Sequence, residues 1–121
     1  MMSKQEIFDR VSVHLLTQGE KAVDVDAGCQ YRVVRNSKVL KCAIGALIPD
    51  EKYSPSLEGN VVSQCIRVQE AAGVEGQDLF FIDGLQRIHD QEYPAEWRRQ
   101  LVQFAHIWGL STEKMNQAAG S

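Results

Sequence analysis

The segment Leu40-Lys-Cys-Ala-Ile-Gly-Ala-Leu-Ile-Pro-Asp-Glu-Lys-Tyr53 constrains the architecture more than any other stretch, because it is an apolar run that halts at a Pro-Asp corner and turns acidic. The run is too short for a long helix and suits a buried strand or a strand-to-loop junction. Pro49 ends it by removing a backbone donor and holding Ile48 extended. Asp50 to Pro55 then reads as an exposed loop. Upstream, Cys29, Tyr31 and Val33 alternate with Gln30 and Arg32, while Leu40, Cys42 and Ile44 alternate with Lys41, which predicts two short strands with one apolar side inward. Arg35 to Lys38 forms the turn, where Asn36 tolerates left-handed backbone. Registers placing Cys29 opposite Cys42 or opposite Ile44 both keep the apolar faces together, whereas a one-residue slip buries Arg32 and Lys41. Such a hairpin is marginal alone, so helices must cover it.

The helices announce themselves through caps and spacing. Ser3 and Glu6 form a capping box, Ile7, Phe8, Val11 and Leu15 follow at helical intervals, and Gly19 ends a helix predicted from Lys4 to Gln18. Asn60 is expected to cap a second helix that carries Val61, Val62, Cys65, Ile66, Gln69 and Ala72 and ends at Gly73. Asp78 opens a third with Leu79, Phe81, Ile82, Leu85 and Ile88, and Pro94 a fourth whose stripe of Trp97, Leu101, Phe104, Ala105 and Trp108 ends at Gly109. Glu20 to Gly28 reads as a short edge strand or an extended loop. The expectation is an α+β, mainly helical single domain over residues 1–110, with about four helices and one two-stranded antiparallel hairpin. The small polar residues 111–121 are expected to form a flexible tail.

Composition excludes several classes of function. A chain of 121 residues supports one core, and no run reaches the roughly 18 apolar residues of a membrane span. The opening Met-Met-Ser-Lys-Gln-Glu lacks the apolar core of a secretory signal, so a cytoplasmic address is expected. A net charge of −3 without basic blocks makes nucleic acid an unfavoured partner. The three cysteines, Cys29, Cys42 and Cys65, lie far apart with no short chelating pair, so no metal site is expected. No nucleotide-binding or serine-hydrolase motif is present, and no cofactor is implied.

Three chemistries can be weighed on the residues. A cysteine-dependent enzyme would use Cys42 with His89 or His106 as base, but the aliphatic neighbours of Cys42 suggest burial, which raises a thiol pKa. His89-Asp90 superficially matches metal-dependent phosphohydrolases, although helix-end placement of His89 against the dipole accounts for it. A helix-turn-helix from the third and fourth helices would direct Arg98 and Arg99 at DNA, yet Glu92 and Glu96 oppose phosphate contact there.

Cys29-Gln-Tyr31-Arg32, followed by Leu40-Lys-Cys-Ala43, Gly45-Ala-Leu-Ile-Pro-Asp-Glu51, Tyr53 and Leu57-Glu-Gly59, resembles a group of short, largely uncharacterised proteins of bacteria and their phages. The likeness covers about a quarter of the chain strongly and the stretch from Leu85 to Trp97 more weakly. Where this chain has Val33 to Ser37, members of the group often carry a Gly-rich turn. The resemblance implies a mobile-element or accessory context and brings no catalytic residues. The favoured expectation is therefore a non-enzymatic accessory or regulatory protein that binds a protein partner, with Asp50, Glu51 and Tyr53 as the preferred contact, because loops carry recognition.

Overall fold

A computed structural model describes residues 2–119. Its first helix, α1 (Lys4–Gln18), begins at the capping box: Ser3 Oγ accepts from the Glu6 amide at 3.1 Å, and the Glu6 carboxylate accepts from the Ser3 amide at 3.2 Å. Gly19 ends it at φ 70°, a left-handed value that favours glycine. Ile7, Phe8, Val11 and Leu15 face the core.

Two ribbons follow. Strands β1 (Val23–Asp24) and β2 (Gly28–Cys29) pair Val23 with Cys29, and the Asp24 carboxylate closes their turn by accepting from the amides of Asp26 and Ala27 at 2.8 and 3.0 Å. The main hairpin is β3 (Arg32–Arg35) against β4 (Lys38–Lys41), antiparallel, with Val33 opposite Leu40. Asn36 and Ser37 both take positive φ, 50° and 66°, which is the two-residue turn whose twist matches the strands.

Cys29 departs from its expected place in this hairpin. The observed offset would extend to Cys29 opposite Ile44, but the ladder stops at the bond from the Cys42 amide to the Tyr31 carbonyl, 3.3 Å. Beyond Cys42 the chain winds into a 3₁₀ turn over Gly45–Leu47, so no strand remains to pair. The amides of Tyr31 and Arg32 are instead taken by the two oxygens of Glu58, at 2.8 and 3.1 Å. Cys29 is exposed in the smaller ribbon, and all three cysteines are free. Gly45 is forced by this crossing, since a Cβ there would stand 1.9 Å from the Tyr31 carbonyl oxygen.

The second helix starts later than its apparent cap. The Asn60 side chain donates back to the carbonyls of Ser56 and Leu57, at 3.1 and 3.2 Å, and so closes a loop where a cap was expected. A 3₁₀ turn at Val62–Gln64 and an extended Cys65 precede α2 (Ile66–Ala72), which ends at the expected Gly73. Helix α3 (Leu79–Gln91) is capped by Asp78, whose carboxylate accepts from the amides of Phe80 and Phe81, and α4 (Pro94–Trp108) starts on its proline and stops at Gly109.

A fifth helix, α5 (Glu113–Ala119), occupies most of the segment expected to be a flexible tail. It packs on α1 and buries Met115 completely. Gln5 fastens its approach by exchanging two 2.9 Å hydrogen bonds with the backbone of Ser111. The architecture is α+β and mainly helical, with one continuous core. At its centre Phe81 lies 5.3 Å from Phe104 and 5.2 Å, edge on, from Trp108. Gly84 is small because a Cβ would reach within 2.7 Å of the Phe104 ring. Helix α1 also seals the hairpin: Gln18 accepts from the Lys41 amide and donates to its carbonyl, both at 2.9 Å. Among the described residues no helix is long and apolar enough to cross a membrane.

Candidate functional site

The last turn of α3 carries His89 and Asp90 to a meeting point with the two ribbons. His89 is fully buried, and its Nε2 faces the Ala22 amide at 3.0 Å. An N–H can only donate, so Nε2 is the unprotonated nitrogen and Nδ1 carries the proton. That proton is donated to Asp90 Oδ1 at 2.7 Å, and Trp97 stacks beside the ring at 5.6 Å. Asp90 also accepts from Gln86 Nε2 at 2.8 Å, while Gln86 Oε1 accepts from the Ile44 amide at 3.0 Å and from the Cys42 thiol at 3.2 Å. Burial pushes the Asp90 carboxyl upward, but the hydrogen bonds from His89 and Gln86 outweigh it and hold the group below its ordinary range.

This network forms one wall of a cleft of about 360 Å³ between α3 and the chain around Cys29–Tyr31 and Glu58–Val62. Asp83, Gln86, Arg87 and Asp90 line its α3 side. Sequence reasoning placed His89 and Asp90 at a helix end but missed Cys29 beside them, because a separation of some sixty residues leaves no local signal. The Cys29 thiol, a His89 ring nitrogen and an Asp90 oxygen lie within 4.8 Å of one another. The donor set is a poor cradle for a cation, which would have to displace the Nδ1 proton and break the bond from Ala22. Burial and the neighbouring Asp90 raise the Cys29 pKa and outweigh the opposing pull of Lys21, so the position favours the thiol over the thiolate.

The residues proposed for cysteine chemistry are placed unfavourably for it. Cys42 is buried, and that burial pushes its pKa up to about 12. It reaches His89 only through Gln86 and Asp90, and both ring nitrogens of His89 are already engaged. His106 is exposed on α4 and does not line the cleft.

The acidic loop is a 3₁₀ turn at Asp50–Lys52 after the extended Pro49. Asp50 is exposed and paired with Arg32 at 2.8 Å and Lys41 at 3.8 Å, and Glu51 is exposed beside it. Tyr53 is half-buried: its hydroxyl donates to Glu58 at 2.8 Å, and the Arg32 guanidinium lies 4.4 Å from its ring centroid. Burial and the Glu58 hydrogen bond push its pKa up to about 12. Tyr53 therefore acts as a lid over the hairpin base.

The paired arginines diverge. Arg98 donates to Asn116 of α5 at 3.0 Å, and Arg99 forks onto Glu96 on its own helix. A two-residue connection, Glu92 and Tyr93, separates α3 from α4.

A surface that the sequence did not single out is the outer face of α3. Phe80, turned away from the buried Phe81 beside it, is 86% exposed. One and two turns further on come Asp83, Gly84 and Arg87. A second groove, about 220 Å³, runs on the other side of α3 against α4, lined by Gly84, Arg87, Ile88, Phe104 and Ile107 among others. Ile107 is 77% exposed. Helix α3 is thus a ridge between two grooves, and Arg87 borders both.

No family model matches the chain, and neither a curated protein nor a solved structure matches it.

Proposed function

We propose that this is a small, non-enzymatic accessory or regulatory protein, cytoplasmic and of bacterial or phage origin, that binds a protein partner through the outer face of α3 and α4. The observation that carries this reading is the exposed Phe80 ring, set on a capped helix whose opposite face is core. Burying such a ring contributes about 1.5–3 kcal/mol, a strong inducement to association. Ile107 and Val102 extend the apolar surface on α4. The engagement of Cys42 and His89 within the fold supports binding over chemistry. The preferred contact moves from the Asp50–Tyr53 loop to α3, because the Tyr53 ring is engaged by Arg32 and its hydroxyl by Glu58. The bacterial or phage context rests on the resemblance carried by the Cys29–Gly59 region.

Affinity capture with a tagged chain tests the reading, with untagged copies of the same chain counted among the captured proteins. Phe80→Asp should abolish capture and Tyr53→Ala, if folded, should retain it. Undiminished capture by Phe80→Asp would overturn the reading.

A further inference from the structure

We infer that the partner seated on the α3 face is a second copy of this chain, with the two α3 helices antiparallel about a two-fold axis at the level of Leu85. The inference rests on the function proposed above and adds the identity of the partner.

Self-complementarity of shape and charge points to a copy. A two-fold interface must satisfy itself, with residue i meeting j while j meets i. Helix α3 stands as a ridge flanked by one groove of about 360 Å³ and another of about 220 Å³, so each copy offers both the ridge and the depression that receives it. Asp83 and Arg87 lie one turn apart, and neither has an ion-pair or hydrogen-bond partner among the described residues. Antiparallel pairing brings Asp83 of each copy to Arg87 of the other, forming two ion pairs from one sequence. Parallel pairing would set like against like. The same operation brings Phe80 level with the second copy's Asp90 and Gln91, where the larger cleft opens and Val61 offers an exposed apolar rim.

Sedimentation equilibrium of the intact chain provides the test. The wild type should sediment at twice the chain mass at micromolar concentration. Asp83→Arg and Arg87→Asp alone should each weaken association by roughly tenfold or more, through like charges facing each other. An equimolar mixture of these two variants should recover the dimer, because the Asp83→Arg chain then presents a pair of arginines to the pair of aspartates on the Arg87→Asp chain. Circular dichroism checks that both variants fold. A wild type that stays monomeric, or a mixture that stays as weak as its components, overturns the inference. A monomer that still captures a foreign protein in a Phe80-dependent manner overturns the inference and leaves the proposed function standing. A monomer whose capture ignores Phe80→Asp overturns both.

Discussion

His89 and Asp90 show how a pair that resembles chemistry can serve structure. The imidazole bridges the Ala22 amide and the Asp90 carboxylate, so it joins the start of the first ribbon to the end of α3. Asp90 titrates below its ordinary value of 3.8, which fixes the sign of its pH effect. Its contribution to stability is complete above the unfolded-state value and is lost as pH falls through the lower folded-state value. Asp90→Asn should cost about 1–2 kcal/mol at neutral pH, the modest end of the range because a third of the side chain meets solvent. The gap between variant and wild type should close below about pH 3.8, as urea titrations across acid pH would reveal. A gap that persists unchanged at lower pH would rule out this role. The thiols give a second residue-scale expectation. A maleimide should label exposed Cys29 in the native protein and reach buried Cys42 only after unfolding. Mass spectrometry that finds Cys42 labelled first in the native state would contradict both its burial and its raised pKa.

Helices whose boundaries are written locally were legible from the sequence. Ser3 with Glu6, Asp78 and Pro94 each bind or spare backbone donors within their own first turn, and Gly19, Gly73 and Gly109 stop helices through their own left-handed backbone. What failed was set at a distance. Asn60 looked like a cap, but its amide is engaged by the preceding loop. Cys29 continued the strand alternation, but the ladder ends where Gly45 crosses Tyr31 and Glu58 takes two amides. Helix α5 had no periodic signal because, among its described side chains, Met115 alone is buried and anchors it. Met115→Ala should therefore cost about 2–5 kcal/mol. Chemical denaturation would measure it, and a loss under 0.5 kcal/mol or so, the scale of surface changes, would mean that α5 is not anchored there.

At the scale of the molecule, one core organises everything that faces outward. Phe81, Phe104 and Trp108 fix α3 against α4, and that orientation turns Phe80 and Arg87 to solvent with the half-buried Asp83 between them. The candidate surface was hidden in the sequence for this reason. Phe80 and Phe81 are neighbours of the same type, and only the docking of α3 decides which becomes core. The cleft was hidden because its walls come from segments some twenty to sixty residues apart. Site-specific photo-crosslinking in living cells is the most direct test of the proposed contact between the α3 face and a protein. With benzoylphenylalanine in place of Phe80, illumination should yield a discrete protein adduct that the same probe at Glu51 does not give. A discrete adduct from Glu51 with none from position 80 would contradict the account and return the contact to the acidic loop.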